Sequence, residues 1–428
     1  MEKITKSKTH IYQILIIAVS IVPFIIIPVT EYGFTHNSQR IYALSALVMA
    51  YLLIILKNRK QIDQFISFDP ININLSLYVL FLAVSLFFAE SFSLAFSGSY
   101  ARDEGFLTLI IYFLLFLAAR SIKLTDYKFF NYLMISAAVL ALYGILQFFG
   151  IDPLPRPVEK QNYFRAFSTF SNPNFFGSYL MMMLPVALFM FVKTKKNSMG
   201  LNYAIILFSL FCTLTRSALI GAIVSVCLTV ILIWFYTERK TYENLRITCV
   251  VIISIFVTLS FNLISESSLQ KRFNSISSDA ITLLNNEPES ENLGNGRIYI
   301  WVRVIQLIRE KPLFGHGIEN LGLVFTDRFS EDITETFGRI LIFDRAHNEY
   351  LHIAVSSGIP ALLVYLFFIG LVLKKGVNNI KNSEILLPVM AAITGYLVQA
   401  FFNISVVPVA YIFWILLGFV SHYQIAER

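Results

Sequence analysis

Read from its N-terminus, the chain alternates long apolar runs with short polar links. Twelve mostly apolar runs stand out, at about 11–30, 40–56, 73–89, 105–119, 128–149, 172–192, 201–215, 216–236, 247–264, 347–373, 385–403 and 406–424. Most approach the roughly 17–25 residues that a helix needs to cross a hydrocarbon core of about 30 Å. The every-second-residue alternation of an outer-membrane barrel strand is absent. The pattern predicts an all-α fold: a polytopic transmembrane helical bundle of about 12 spans, forming one integral membrane domain over residues 1–428. The first run is too long for a signal peptide and lacks a small-residue cleavage site, so it is expected to be a retained helix.

One interruption is much longer than the others. Residues 265–346 separate the ninth and tenth runs and exceed any simple connector. Their middle, Asn285 to Gly296, is acidic and rich in turn formers. From Arg297 to Glu310 the pattern changes, because Ile298, Trp301, Ile305 and Ile308 recur at helical spacing, with Asn295 as the expected N-cap. Such an amphipathic helix is expected to lie on the leaflet or to pack over the bundle. The turn Pro312-Leu313-Phe314-Gly315-His316-Gly317 ends it. No soluble catalytic domain fits in the remainder, so an active site here would be shared with the bundle.

Composition agrees: 56% of residues are hydrophobic and 14% charged, with mean hydropathy +0.67, whereas soluble domains carry about 25% charged residues. A net charge of +7 could suggest nucleic acid in a soluble protein. Here membrane orientation accounts for it, and no nucleic-acid partner is expected. On one side of the bundle the short links hold 19 basic residues, while the other side holds six outside its long loop. By the positive-inside rule both termini are cytoplasmic and the 265–346 loop is extracytoplasmic. Of the 19 inside residues 14 are lysine, whereas 12 of the 15 outside, the loop included, are arginine. Orientation needs only positive charge and does not explain this split; chance composition in a chain with 17 of each is the plain alternative to a functional reason. Arginine's planar fork grips phosphate in bidentate fashion, so the outer face has the character of a phosphate-binding surface. The three cysteines, Cys212, Cys227 and Cys249, lie inside apolar runs without metal-ligand spacing.

Candidate chemistry collects at the ends of the runs. Arg216 lies between two apolar runs, the first of only about 15 residues. Such a helix rises about 22 Å, short of a 30 Å core. Arg216 is therefore expected below the surface, where a charge needs water or a partner; a snorkelling arginine is the plain structural alternative. Arg165 precedes Asn172-Pro173-Asn174, an N-cap followed by proline at the first helical position. That helix start is either a phosphate site or simply a cap. Arg102-Asp103-Glu104-Gly105 reads as a substrate-facing segment or a solvated turn. Arg297 heads the amphipathic helix. Arg345-Ala346-His347-Asn348-Glu349 sits at the lip of the tenth run, where a histidine that titrates near neutrality has the chemistry to remove a proton from a hydroxyl. No zinc spacing, phosphate loop or serine elbow is present, and no outward carboxylate pair stands ready for a divalent metal. No metal or cofactor is expected; a pyrophosphate leaving group would be neutralised by arginines.

These pieces resemble the O-antigen ligase and O-antigen polymerase superfamily of bacterial inner-membrane proteins. The resemblance runs from Arg165 onward and rests on Asn172-Pro173-Asn174, Thr215-Arg216-Ser217, Gly296-Arg297 with Trp301, the turn Pro312 to Gly317, and His347-Asn348 with Leu351 followed by Gly358-Ile359-Pro360. It implies a glycan donor on undecaprenyl pyrophosphate, and a glycan, lipid or protein acceptor. It implies a metal-independent glycosyltransferase of the inner (cytoplasmic) membrane serving surface polysaccharide or lipopolysaccharide synthesis. In that reading His347, Arg216 and Arg297 are catalytic, and Arg165, Asn172, Asn174, Asn348, Arg345 and Arg102 bind substrate. Ligase, polymerase and protein glycosyltransferase stay open. A lipid-linked sugar transporter or flippase is the alternative of another class; it would place charges at mid-span, whereas here they gather at one lip.

Overall fold

A computed structural model describes residues 2–26, 37–57, 68–99, 102–153, 165–237, 241–265, 270, 274 and 293–422. Among them the protein is helical and has no strand. Twelve apolar helices fall on the twelve runs. They are α1 (Glu2–Ser20), α2 (Ser38–Lys57), α3 (Pro70–Ser85), α5 (Phe106–Arg120), α6 (Lys128–Phe148), α7 (Pro173–Thr194), α8 (Asn197–Cys212), α9 (Arg216–Tyr236), α10 (Thr241–Ile264), α14 (Ile359–Ile380), α15 (Leu387–Ala400) and α16 (Val407–Val420). Eight are long and apolar enough to cross a membrane, and α5, α8, α15 and α16 are shorter. Four further helices serve one end of the bundle: α4 (Phe92–Ser97), α11 (Leu293–Glu310), α12 (Leu321–Phe337) and α13 (Glu349–Ser357).

The sequence explains which helices are central. In α7 the apolar window is wholly buried, and every residue of α16 is buried, as expected for helices that are hydrophobic all round. α7 packs against α8, α9 and α15, and α16 against α5. α10 instead exposes Ile252, Ile255, Phe256, Leu259 and Leu263, a face suited to lipid. At the end away from the loop, Arg120 closes α5 onto the Asp69 cap of α3 with bonds of 2.8 and 2.9 Å. A buried Lys193 there is held by Glu243 and Glu384.

Because successive spans run in opposite directions, the starts of α2, α5, α7, α9 and α14 fall at the loop-bearing end. That end therefore gathers Arg40, Arg102, Arg165, Arg216, Arg297 and Arg345. The loop builds its own small core here. Tyr299, Ile300, Val304, Leu307 and Ile308 of α11 meet Leu321, Phe325 and Ile333 of α12, with Ala346, Ala354 and Val355 closing the cluster.

Three expectations about the loop change. The tenth run is not one helix from 347 to 373. It breaks at Gly358, which separates the short α13 from the spanning α14. Proline at 360 suits a new helix start, and Gly358 takes a positive φ of 90°. The buried face of α11 is also not the one expected, since Ile305 is 40% exposed while Tyr299, Val304 and Leu307 are fully buried. The apolar residues of α11 are dense enough to give two overlapping stripes, and α12 covers the second. The helix itself begins at Leu293. The Asn295 side chain and the acidic stretch 285–292 lie outside the described residues, as do Arg156 and Lys160.

Candidate active site

His347 occupies the junction between the segment after α12 and the start of α13. Its backbone is left-handed, φ 51°, a state few non-glycine residues take, although histidine, like asparagine and aspartate, takes it more often than most. The residues on both sides of it are anchored. Asp344 receives the Arg102 guanidinium through two bonds of 2.8 and 3.3 Å. Arg345 is buried and forms ion pairs with Glu319 and, at 3.8 Å, with Glu104, and it lies 2.7 Å from His352 Nε2. The Ala346 carbonyl accepts a bond of 2.9 Å from Trp301 Nε1, whose ring stands edge-on to Phe401. Asn348 caps α13, its Oδ1 accepting from the backbone of Tyr350 and Leu351 at 3.0 and 3.1 Å. Tyr350 then ties α13 to α15 by donating to the Leu397 carbonyl at 2.7 Å.

Underneath, the turn Pro312–Gly317 is knitted to the end of α13. His316 and Gly317 donate from their backbones to the Val355 and Ser356 carbonyls, and Ile359 donates to the Pro312 carbonyl, all at 2.8 Å. The contact demands glycine on both sides. A Cβ at Gly315 would lie 2.4 Å from the Ser356 carbonyl carbon, and one at Gly358 would lie 2.1 Å from the Leu313 oxygen. This explains why the two glycine motifs, far apart in the chain, occur together.

A further cation, Arg297, bears on His347, and Arg216 bears on Arg297. Arg297 stands in the first turns of α11, just after Gly296. Burial lowers its pKa first, and the Arg216 charge lowers it further, so the two guanidiniums lie within electrostatic reach. His347 is itself pulled down to about 4, first by burial and next by Arg297, while Asp344 opposes the shift and Arg102 and Arg345 add to it. Arg216, Arg297 and His347 thus form a series, with the imidazole neutral at physiological pH and facing a concentrated positive field. A neutral imidazole accepts a proton; paired guanidiniums suit a polyanion.

The remaining residues singled out from the sequence divide by what they touch. Arg165 donates to the Thr213 carbonyl at 2.8 Å, Thr215 Oγ1 at 3.1 Å and Asn174 Oδ1 at 3.2 Å. It clasps the break between α8 and α9, where Leu214 is left-handed at φ 48°, and so sets the place of Arg216. Asn172 is the N-cap of α7, accepting from the Asn174 backbone at 2.8 Å. For Arg165, Asn172, Asn174 and Asn348 these bonds are support contacts. Arg345, only 3% exposed, has its guanidinium turned to Glu319 and Glu104 and so braces the frame beneath His347. Arg102, clamped to Asp344, is half-buried beside His347.

Sequence reasoning missed Asp344 and Glu319 and left Glu104 unassigned. Glu319 accepts from the Ser99 backbone at 3.2 Å and its hydroxyl at 2.7 Å, and Glu104 from the Tyr112 hydroxyl at 3.0 Å. In a linear chain a carboxylate in a polar loop reads the same whether solvated or paired. The available signal was the adjacency of Asp344 to Arg345.

Comparison with known proteins bears on this geometry. Residues 201–366 match the family described as O-Antigen ligase. The match contains Arg216, Arg297 and His347 and stops short of Arg102, Glu104 and Arg165. That segment is less than half of the chain, and over it the protein is similar to this family. A protein of Haemophilus influenzae (strain ATCC 51907 / DSM 11121 / KW20 / Rd), described as an uncharacterized protein, is 25% identical over 190 residues, 43% of this chain and 45% of that relative. The chain thus spans less than half of that relative's length.

Proposed function

We propose that the protein transfers a glycan from undecaprenyl pyrophosphate to an acceptor hydroxyl, in the manner of an O-antigen ligase, at the extracytoplasmic face of the inner membrane. The observation that carries this reading is the series Arg216, Arg297, His347: two clustered guanidiniums beside a histidine held neutral. In this scheme both termini are cytoplasmic, the 265–346 loop is an extracytoplasmic insertion, and the donor enters sideways from the bilayer. Arg216 and Arg297 grip the pyrophosphate. His347 takes the proton of the acceptor hydroxyl as its oxygen bonds to the anomeric carbon. The bond from that carbon to the pyrophosphate oxygen breaks, and undecaprenyl pyrophosphate leaves with the electron pair, its charge met by the two arginines. Attack opposite the leaving group inverts the anomeric centre, and the imidazolium returns its proton to water. Arg102, beside His347, is the further candidate for donor contact. A surface-polysaccharide polymerase differs from this scheme only in the acceptor.

The test is transfer of an undecaprenyl-pyrophosphate-linked repeat unit to candidate acceptors by the purified protein in lipid. His347→Ala should abolish transfer while the protein still inserts in the membrane; normal transfer by that variant removes the base assignment. Arg216→Lys should also lose most activity, because a point charge replaces a fork. Full activity would make Arg216 an interfacial anchor.

A further inference from the structure

The short loop before α5 lies outside the matched family segment, yet it reaches under His347. Its two ends are pinched together: a Cβ at Gly105 would fall 2.2 Å from the Gly98 nitrogen, and one at Gly98 would fall 2.6 Å from the Glu104 nitrogen. From this pinch Ser99 grips Glu319, Glu104 faces Arg345, and Arg102 clamps Asp344. Asn37 and Ser38 at the start of α2 brace it, bonding the Arg102 carbonyl at 3.1 Å and Asp103 Oδ2 at 2.9 Å. Glu319 is itself left-handed, φ 61°, and its side chain is 2% exposed. Two strained residues, Glu319 and His347, are therefore tied through one buried ion pair, with Arg345 two residues before His347. Backbone strain persists only where surrounding contacts over-determine it.

We propose that Glu319, held by Ser99, is a positioning residue for the transfer reaction, acting through Arg345 to hold His347 in its left-handed conformation. This rests on the reading of His347 as the proton acceptor. A bond of that kind has two effects. It fixes the segment 345–348, and it balances the Arg345 charge that bears on His347. The titratable and charged groups facing His347 are Arg297 from α11, Arg102 from the pinched loop, Asp344 and Arg345 from its own segment, and the His352 imidazole of α13. Removing the Glu319 charge leaves Arg345 less compensated, so the imidazole should protonate at still lower pH.

The experiment uses the full-length protein in lipid nanodiscs, with Glu319→Gln and, as the milder variant, Ser99→Ala, which removes only the hydroxyl bond. The His347 imidazole resonance, assigned by its loss in His347→Ala, is titrated by NMR. Transfer is measured from the undecaprenyl-pyrophosphate repeat unit, and binding is measured with undecaprenyl pyrophosphate alone. Glu319→Gln should lower kcat roughly 10- to 100-fold, the scale of a misplaced catalytic group. It should move the His347 titration to lower pH and leave undecaprenyl pyrophosphate affinity unchanged, with Ser99→Ala shifting the first two in the same direction by less. Unchanged kcat in both variants, or a loss of kcat with the His347 titration unmoved, overturns the proposal. If Glu319→Gln does not fold, Ser99→Ala decides alone by the same two readings. Full activity of His347→Ala would instead defeat the underlying reading, a result distinct from either.

Discussion

Gly358→Ala perturbs the interlock beneath His347 without touching the imidazole or either arginine of the series. At φ 90° and ψ 164° a side chain enters a region that essentially only glycine populates, at a cost of about 1–3 kcal/mol. The new Cβ would also stand 2.1 Å from the Leu313 oxygen and 2.4 Å from its carbon, so the chains must part, at about 1–3 kcal/mol for overpacking of this kind. Relief by withdrawing the Pro312–Gly317 turn would break the bonds from His316, Gly317 and Ile359, each worth about 0.5–1.5 kcal/mol net. Strain and release thus cost similar amounts, roughly 2–6 kcal/mol, and either outcome loosens α13. The expected result is a transfer rate about 10- to 100-fold lower, with a melting temperature several degrees below wild type. Gly370→Ala in α14 is the control, since a Cβ there meets nothing within 4 Å and helix propensity favours alanine by up to about 1 kcal/mol. Transfer and melting by Gly358→Ala indistinguishable from Gly370→Ala would refute the reasoning that the interlock aims the histidine.

Other expectations concern charge. With His347 lowered to about 4, the acid limb of kcat/KM should lie well below the ordinary histidine range. A bound pyrophosphate would offset the cations around the imidazole, so the acid limb of kcat, which reports the complex, should lie at higher pH than that of kcat/KM. Coincident limbs would count against anion binding beside His347. Burial outweighs the pull of Arg345 and pushes the Glu104 carboxyl up to about 8. A carboxyl whose folded pKa is raised contributes stability below its unfolded value of about 4.3, and that contribution is lost as pH rises through the folded value. Melting temperature should therefore fall between mildly acidic and alkaline pH, and Glu104→Gln should flatten that decline in a melting series across pH. An unchanged slope would place the titrating group elsewhere.

The helical bundle was legible in the chain because lipid imposes one condition on every span, and that condition acts locally. A run of apolar residues must satisfy its own backbone, and only a helix does so within one segment. Asn172-Pro173 announced a helix start for the same local reason. Arg216, Arg297 and His347 stood out because a charge or an imidazole beside an apolar run is conspicuous in one dimension. Register within the loop was less legible. α11 carries more apolar residues than one stripe needs, and only the packing of α12 chose Tyr299, Val304 and Leu307 over Ile305.

Tertiary structure alone decided which polar residues are drawn into buried ion pairs and which cap helices or clasp their ends. Arg345 and Arg102 look equivalent in the chain, each an arginine beside an aspartate. One is buried among Glu104, Glu319 and His352, and the other is clamped to Asp344 near the surface. The difference arises from segments more than two hundred residues apart meeting at one end of the bundle. Ion pairing and desolvation depend on distance and burial, and neither is written in the neighbours of a residue. The sequence therefore determined the spans and drew attention to the arginines and the histidine. The fold determined that Arg297 bears on His347 and Arg216 on Arg297, while Arg165, Asn172 and Asn348 hold helix ends in place.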